Sequence, residues 1–161
     1  MYVAVQCTDE SSRRSSPAGA SVPIQTVEEA EATLMDYEGF VAQGSMLGSG
    51  GVIVIDDAQS MVTVIARLAR FFAHESCGQC TQCREGTAWT TKIMERIRDG
   101  QGTIEDLDTL LDIGEQMTGK TICVLSDSCA VPVVSGIQKF RGEFEALIQG
   151  RRFHPVIAAV A

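Results

Sequence analysis

Three cysteines recur at three-residue intervals near the middle of the chain, and they constrain its structure more than any other feature. They are Cys77, Cys80 and Cys83, within the run ESCGQCTQCREG from Glu75 to Gly86. A tight loop that turns into a helix directs three such sulfurs towards one point. An iron–sulfur cubane takes one protein ligand per iron and therefore needs a fourth thiolate from elsewhere. The spacing favours a cysteine-ligated [4Fe–4S] cluster.

The expected fourth ligand is Cys123. It follows Gly119-Lys120-Thr121-Ile122 in the predicted turn between the third and fourth helices, a position able to return to the end that carries the triplet. Cys129 is a weaker candidate, since a cysteine just before Pro132 also fits a small buried core residue. Cys7 is interpreted as a bystander.

Structural zinc is the alternative to an iron–sulfur cluster, and unligated thiols are a third reading. Zinc sites usually combine two cysteine pairs or a cysteine–histidine mixture. Neither His74 nor His154 stands at such a spacing. The triplet is similar to the start of a bacterial ferredoxin run, but no Cys-Pro follows it, which argues against a two-cluster ferredoxin.

Residues around the triplet are expected to tune such a cluster. Gly78 lets the backbone approach it closely, and Ser76, Thr81 and the loop amides are expected to donate hydrogen bonds to sulfur. Arg84 is expected to offset the negative charge of four thiolates. No pattern of residues predicts a catalytic nucleophile.

Composition excludes several classes of protein. The 161 residues, 45% hydrophobic and 21% charged, fit one folded domain of ordinary size. A formal net charge of −8 argues against binding to nucleic acid or to anionic lipid. No apolar run approaches the roughly 20 residues that span a bilayer, so no direct membrane insertion is expected. Six cysteines without a signal-peptide pattern predict a reducing interior.

From Ser60 onward the apolar residues recur at three- and four-residue steps, which predicts amphipathic helices. The first is expected to end at Glu75. The second is expected to run from about Cys83 to Arg98. Its predicted inner face consists of Trp89, Ile93 and Ile97.

The third helix is expected to begin at Thr103, where Thr103 to Asp106 resemble a capping box, and to end at Gly119. Its acidic residues Glu105, Asp106, Asp108 and Asp112 are interpreted as a solvated face. The fourth is expected to begin near Pro132, because proline is favoured in a first turn. Four such helices with short joints predict a four-helix bundle.

The first part of the chain has a different pattern. Residues 1–16 are predicted to be irregular, Val22–Ile24 to be a strand end, and Glu28–Phe40 to be helical. Gly48–Gly51 breaks the chain before Val52–Ile55, a β-branched run that predicts a buried strand. This part is too small to be stable alone, so it is expected to pack on the bundle or to complete a sheet from another chain.

The motif from Glu75 to Thr87 resembles the cluster signature of a known family. It is similar to that of the flavin- and NADH-binding subunit of proton-pumping NADH:quinone oxidoreductase (respiratory complex I) and of related subunits in NAD-linked hydrogenases and formate dehydrogenases. The resemblance covers roughly residues 17–150. It includes the blocks Leu34–Glu38, Gly44–Val54, Thr121–Leu125 and Phe140–Phe144.

The resemblance implies a fold and a ligand set. It implies a mainly α chain in which residues 58–150 form an iron–sulfur helical bundle and residues 17–57 are the tail of a β-grasp domain. Residues 1–16 match nothing, and residues 151–161 are a C-terminal tail. The implied ligands of one [4Fe–4S] cluster are Cys77, Cys80, Cys83 and Cys123.

The resemblance also implies an electron-transfer module that relays single electrons from a partner-bound flavin to further Fe–S centres. The family's flavin and nicotinamide domain has no counterpart in the sequence, and Gly48–Gly51 precedes a strand rather than a helix, unlike a phosphate-binding loop. FMN and NAD(H) are thus expected only through a missing or partner-supplied domain, and the chain alone is not expected to oxidise NADH. It is expected to be either a split subunit or a truncated product.

The implied partners are a flavin/NADH domain, a small 2Fe–2S subunit and a large Fe–S subunit. The expected location is the cytoplasm, or the cytoplasmic or matrix face of an energy-transducing membrane, reached through those partners. The alternative function is a zinc-stabilised assembly module without redox activity.

Two departures from the family pattern lie near the cysteines. Gln82 replaces a usual Pro, and Leu125-Ser126-Asp127-Ser128-Cys129 replaces a usual Leu-Gly-Asp-Ala-Ala. These changes are expected to alter loop rigidity and cluster potential, and to add a nearby thiol, without removing a ligand.

Overall fold

A computed structural model of the chain describes residues 13–17, 19–48, 50–56 and 59–151. Within these ranges it has six helices and two strands, so the expected mainly α character is confirmed. The chain divides into two compact units, with the division between Gln59 and Ser60. No helix in the described ranges is long and apolar enough to cross a membrane.

The first unit contains an antiparallel pair of strands and two short helices. In the pair, Arg13 lies opposite Asp56, and Pro17 lies opposite Val52. The elements are β1 (Arg13–Pro17), α1 (Val27–Ala32), α2 (Tyr37–Ala42) and β2 (Val52–Asp56). Residues 13–16 therefore form a strand, where an irregular segment was expected; residues 1–12 lie outside the described ranges.

The expected single helix over Glu28–Phe40 is wrong, because two polar caps divide it. Thr33 ends α1, where its hydroxyl donates to the carbonyl of Glu29 at 2.6 Å. Asp36 then begins α2, where its carboxylate accepts the N–H of Gly39 at 2.6 Å. Side-chain caps of this kind satisfy backbone groups that a helix end leaves unpaired.

Two strand predictions are also corrected. Val22 and Ile24 are buried but lie outside both strands. The predicted strand at Val52–Ile55 is present as β2, yet Ile55 is buried while Ile53 is 42% exposed. Side chains two residues apart lie on the same face of a strand, so burial changes along β2 and the strand is not fully buried.

The second unit consists of four helices. They are α3 (Met61–Glu75), α4 (Thr81–Arg98), α5 (Ile104–Met117) and α6 (Leu125–Ile148). α3 packs on α4 and α6, α5 packs on the same two helices, and α4 also contacts α6. The start of α3 is fixed by α6, because Glu143 accepts the N–H of Met61 at 3.0 Å. The largest fully buried side chains here are Phe144, Met61, Ile65, Met94, Ile97, Leu107, Leu110, Met117 and Ile137.

The inner face of α4 differs from the predicted one. Trp89 was expected in the core but is 53% exposed. The buried residues of this helix are Cys83, Gly86, Thr87, Thr90, Met94 and Ile97. Small residues occupy its first half, so the neighbouring helices approach closely there and the bulky indole is left on the outside.

Asp106 was expected on a solvated face but is buried, with 6% of its surface exposed. Its carboxylate accepts the N–H of Thr103 at 2.8 Å, the return bond of the predicted capping box. The same carboxylate forms an ion pair with Arg96 of α4. Thr103 at the start of α5 and Arg96 near the end of α4 together offset the cost of burying the charge.

The last helix begins at Leu125, seven residues before the predicted start at Pro132. Pro132 therefore lies inside the helix, where it removes one backbone hydrogen bond. Cys129, Ala130 and Val133 around it are buried. This apolar packing stabilises the early turns despite the lost bond. The backbone leaves helical geometry further along, at Phe140.

Candidate functional site

The loop between α3 and α4 carries the first two cysteines and is closed by its own polar groups. The hydroxyl of Ser76 accepts the N–H of Gly78 at 3.3 Å. Gly78 has φ of +78°, a conformation that glycine adopts without strain. The guanidinium of Arg84 donates to the carbonyl of Gly78 at 2.7 Å. Arg84 thus binds the loop backbone, in addition to bringing positive charge near the cysteines.

Cys80 and Cys83 lie at the beginning of α4, with Cys80 as the residue that precedes its first turn. Helix N-termini carry partial positive charge and favour negative groups. Cys83 is buried with 7% exposed, and its Sγ lies 3.3 Å from Oγ of Ser76 in a contact that either group can donate. Ser76 is thus placed as expected, while no hydrogen bond from Thr81 to sulfur is found in the described residues.

Cys123 lies in the connection between α5 and α6, as predicted, and is exposed. The carbonyl of Cys123 accepts a hydrogen bond from the Thr121 hydroxyl at 2.7 Å. At the start of the connection, the N–H of Gly119 donates to Asp127 at 2.8 Å. Polar bonds to the first turn of α6 therefore shape this segment.

One hydrogen bond joins the two cysteine-bearing segments. The N–H of Ile122 donates to Sγ of Cys80 over 3.5 Å. Cys123 is therefore adjacent to a residue that contacts the triplet. Cys77 is exposed at the tip of its loop, and no three His, Cys, Asp or Glu side chains of the described residues come together as a metal-ion site.

Cys129 is in a different environment from the other four described cysteines. It is fully buried. Burial, and then the negative charge of nearby Cys83, raise the pKa of the Cys129 thiol to about 12. Metal ligation requires a thiolate, so this environment disfavours Cys129 as a ligand.

The chemistry of the donor set suits a [4Fe–4S] cluster. Cys77, Cys80, Cys83 and Cys123 would supply one thiol for each iron, and they lie on two segments joined by the bond from Ile122 to Cys80. Hydrogen-bond partners are also in place, from Ile122 to Cys80 and from Ser76 to Cys83. Such partners are a regular part of metal sites and set the cluster potential.

Residues beyond the predicted set also belong to this region. Ser126 is fully buried, and its Oγ lies 2.7 Å from the Thr121 hydroxyl. Sequence reasoning noted Ser126 only as a departure from the family pattern. A serine at the start of a helix often bonds to nearby backbone or side chains, and its position three residues after Cys123 could have indicated a contact with the cysteine turn.

A groove of about 360 Å³ begins beside the cysteine loop and lies between α4 and α5. Thr81 and Gln82 form its end near Cys80, and Trp89 lies further along. Its lining also includes Glu85, Gly86, Thr109, Asp112, Ile113, Gln116 and Met117. The exposure of Trp89 follows from its position in this groove.

Cysteine thiolates are the ligands that hold the clusters of iron–sulfur proteins. Comparison with known proteins agrees with this class. Residues 63–147, more than half of the chain, match the family described as "NADH-ubiquinone oxidoreductase-F iron-sulfur binding region". The chain belongs to this family, and the resemblance given by the motif from Glu75 to Thr87 is confirmed.

Among its relatives are NADH-quinone oxidoreductase subunits F. The subunit of Mycobacterium bovis is 46% identical over 134 residues, which are 83% of this chain and 30% of that protein. The subunit of Rickettsia bellii is 44% identical over 133 residues, 83% of this chain and 32% of that protein. The chain thus spans about a third of the length of these relatives.

A solved structure supports the same assignment. A chain in the crystal structure of an NAD+-reducing [NiFe]-hydrogenase in the H2-reduced state superposes with a TM-score of 0.77 at 33% identity. The match covers 88% of this chain and 24% of that chain.

Proposed function

We propose that this chain is an electron-transfer module that binds one [4Fe–4S] cluster through Cys77, Cys80, Cys83 and Cys123. The observation that carries the proposal is the hydrogen bond from Ile122 to Cys80, because it places the turn of Cys123 against the loop of the triplet. Membership of an iron–sulfur binding family supports the same chemistry. When bound, such a cluster supplies reversible one-electron oxidation and reduction.

The four helices α3 to α6 serve in this proposal as a bundle that mounts the cluster at one end. Ser76, Gly78 and Arg84 fix the loop, and the hydrogen bond from Ile122 stabilises charge on a ligand sulfur. In the proposed domain scheme, residues 58–150 form the bundle, and residues 17–57 are the tail of a β-grasp domain. The antiparallel pair of β1 and β2 supports a sheet there, although β1 begins at Arg13, before the proposed boundary.

The electrons would come from a flavin in another domain or subunit and pass to further Fe–S centres. The names of the relatives support this context, since they are subunits of NADH-quinone oxidoreductases and a hydrogenase that reduces NAD+. Ile122 and Val124 on either side of Cys123 are 85% and 75% exposed. Apolar side chains with such exposure suit a surface that a partner covers.

The proposed partners are a flavin/NADH domain, a small 2Fe–2S subunit and a large Fe–S subunit. Through them the chain would be located in the cytoplasm or at the cytoplasmic or matrix face of an energy-transducing membrane. The chain holds no proposed residue for hydride chemistry, so it is not proposed to oxidise NADH by itself.

Anaerobic purification, followed by iron, sulfide and zinc analysis and by EPR of the reduced protein, tests the proposal. We expect about four irons and four sulfides per chain and a reducible paramagnetic signal. One zinc per chain without iron or signal would establish the zinc-stabilised assembly module instead. A chain with neither metal would also overturn the proposal.

A further inference from the structure

We propose that Ser126 is a positioning residue for Cys123 and that it acts through the hydroxyl of Thr121. This inference rests on the proposed function, because it assigns Ser126 a role in holding one ligand of the cluster. Ser126 lies in the first turn of α6 and is fully buried.

The contacts of Ser126 connect the end of α5 with the cysteine turn. Its Oγ lies 3.0 Å from the carbonyl oxygen of Met117 and 2.7 Å from Oγ1 of Thr121. Oγ1 of Thr121 lies 2.7 Å from the carbonyl oxygen of Cys123. A continuous chain of polar contacts therefore runs from a buried helix turn to the backbone of the exposed ligand.

Each of the two hydroxyls has one proton to donate, and the Ser126 proton has three acceptors within reach: Oγ1 of Thr121, the carbonyl of Met117, and Oδ2 of Asp127 at 3.4 Å. In the proposed arrangement this proton is donated to Thr121, so that Thr121 donates its own proton to the carbonyl of Cys123. In that arrangement Ser126 holds the Thr121 hydroxyl in the orientation that binds the cysteine backbone.

Side-chain packing contributes little to the position of Cys123. Ile122 and Val124 are exposed on both sides of it, and Cys123 is itself exposed. The bond from Gly119 to Asp127 fixes the beginning of the connection, four residues before the cysteine. The Thr121 hydroxyl alone, among the side chains with described hydrogen bonds, contacts the backbone of Cys123.

Loss of the Ser126 hydroxyl should therefore weaken the attachment of one corner of the cluster. The loop of Cys77, Cys80 and Cys83 has its own bonds through Ser76 and Arg84 and should be unaffected. We expect the variant to lose iron to a chelator faster than the parent chain. The increase in rate should exceed what the general loss of helix stability explains.

The test uses the full chain, loaded with cluster under anaerobic conditions, and the iron chelator bathophenanthroline disulfonate. Iron release is followed by the absorbance of the iron–chelator complex in the variants Ser126→Ala, Thr121→Val and Thr121→Ser. Ser135→Ala is the matched control, because Ser135 is a buried serine of the same helix that donates to the carbonyl of Val131 at 2.8 Å. Urea unfolding of each cluster-free variant measures its general loss of stability.

We expect Ser126→Ala and Thr121→Val each to release iron about 10-fold faster than the parent chain, as is typical of outer-shell partners of metal ligands. Thr121→Ser keeps the hydroxyl and should remain close to the parent rate. The double variant should be no faster than Thr121→Val, since both changes break the same chain of contacts. Ser135→Ala should leave the rate unchanged.

Equal rates for Ser126→Ala and Ser135→Ala, in a parent chain that holds about four irons, would overturn this inference and leave the proposed function in place. A parent chain that takes up no cluster would overturn both. If Ser126→Ala does not fold, Thr121→Val decides alone, because Thr121 is only half-buried and its loss leaves the core intact. An unchanged rate in Thr121→Val would then contradict the role of the hydroxyl pair.

Discussion

The backbone N–H of Ile122 donates to Sγ of Cys80 across 42 positions of the sequence, with an N···S distance of 3.5 Å. The side chain of Ile122 takes no part in this link, since it is 85% exposed. The contact between the two cysteine-bearing segments thus depends on the backbone. It follows that the bond can be removed only by a residue that lacks an N–H.

Ile122→Pro removes this donor, and Ile122→Ala is its matched control because it keeps the N–H. A hydrogen bond to a ligand sulfur stabilises the more negative, reduced cluster. If the bond favours the reduced form by about 1.4 kcal/mol, the midpoint potential of Ile122→Pro should be about 60 mV lower than that of Ile122→Ala. A redox titration followed by EPR measures both; equal potentials would show that the bond does not tune the cluster.

The second prediction concerns the proposed fourth ligand of the cluster. Cys123→Ala should lose the intact cluster, because one iron then lacks its protein ligand. Cys129→Ala should keep a full cluster, since the buried thiol of Cys129 has its pKa raised to about 12 and is neutral at ordinary pH. Iron and sulfide analysis of both variants decides. A full cluster in Cys123→Ala, or its loss in a folded Cys129→Ala, would show that the fourth ligand was wrongly assigned.

Cys129 also predicts a pH dependence of stability. Burial, followed by the negative charge of Cys83, raises the pKa of Cys129 from 9.0 to about 12. Above pH 9 the unfolded chain loses this proton while the folded chain keeps it, so the free energy of unfolding falls as pH rises towards 12. Below pH 9 the group has no effect, because both states hold the proton. Urea unfolding of the cluster-free chain should show this decline, and Cys129→Ala should show a smaller one; identical declines would contradict the prediction.

Two glycines at helix contacts should respond differently to substitution by alanine. At Gly114 a new Cβ would lie 2.6 Å from Cγ2 of Val134, a side chain with a stiff χ1. At Gly86 it would lie 2.6 Å from Sδ of Met117, an unbranched, flexible side chain that borders the 360 Å³ groove.

Gly114→Ala should therefore cost about 1–3 kcal/mol of unfolding free energy, the usual range for an overpacked core, and Gly86→Ala clearly less. Urea unfolding compares the two. Adding Val134→Ala should restore part of the loss in Gly114→Ala, as the added methyl then has space. A larger loss at Gly86 than at Gly114 would be inconsistent with the freedom assigned to Met117.

The local pattern of residues in the sequence was sufficient to predict part of the fold and of the candidate site. The periodic apolar residues after Ser60 predicted α3, α4 and α5, and the β-branched run at Val52–Ile55 predicted β2. The predicted connection between α5 and α6 contains Cys123. Each of these features depends on residues close together in the chain, so their spacing carries the information.

The features that the sequence did not predict depend on contacts between distant residues. Pro132 suggested a helix start, but burial of Cys129 and Val133 extends α6 back to Leu125. Trp89 suggested a core residue, but small residues fill the first half of the inner face of α4. The spacing indicated Cys80 as a ligand, yet its bond to Ile122 appears only when two loops are folded together.

The burial of Asp106 is a further case, and it leads to the last prediction. This carboxylate accepts the N–H of Thr103 at 2.8 Å and forms an ion pair with Arg96, which joins the start of α5 to α4. The Asp106 side chain is 9% exposed, whereas that of Arg96 is 49% exposed. The two halves of the interaction should therefore contribute unequally.

Asp106→Ala should lower the free energy of unfolding by about 1–3 kcal/mol, because it removes the charged acceptor of the partly buried bond from the Thr103 N–H. Asp106→Asn separates the two roles, since its amide oxygen still accepts from Thr103 while the charge opposite Arg96 is lost. Arg96→Ala should cost no more than about 1 kcal/mol, as expected for a pair with one half-exposed partner. Urea unfolding at low and high salt measures these losses. If Arg96→Ala costs as much as Asp106→Ala, the ion pair, and not the cap on Thr103, accounts for the contribution of Asp106 to stability.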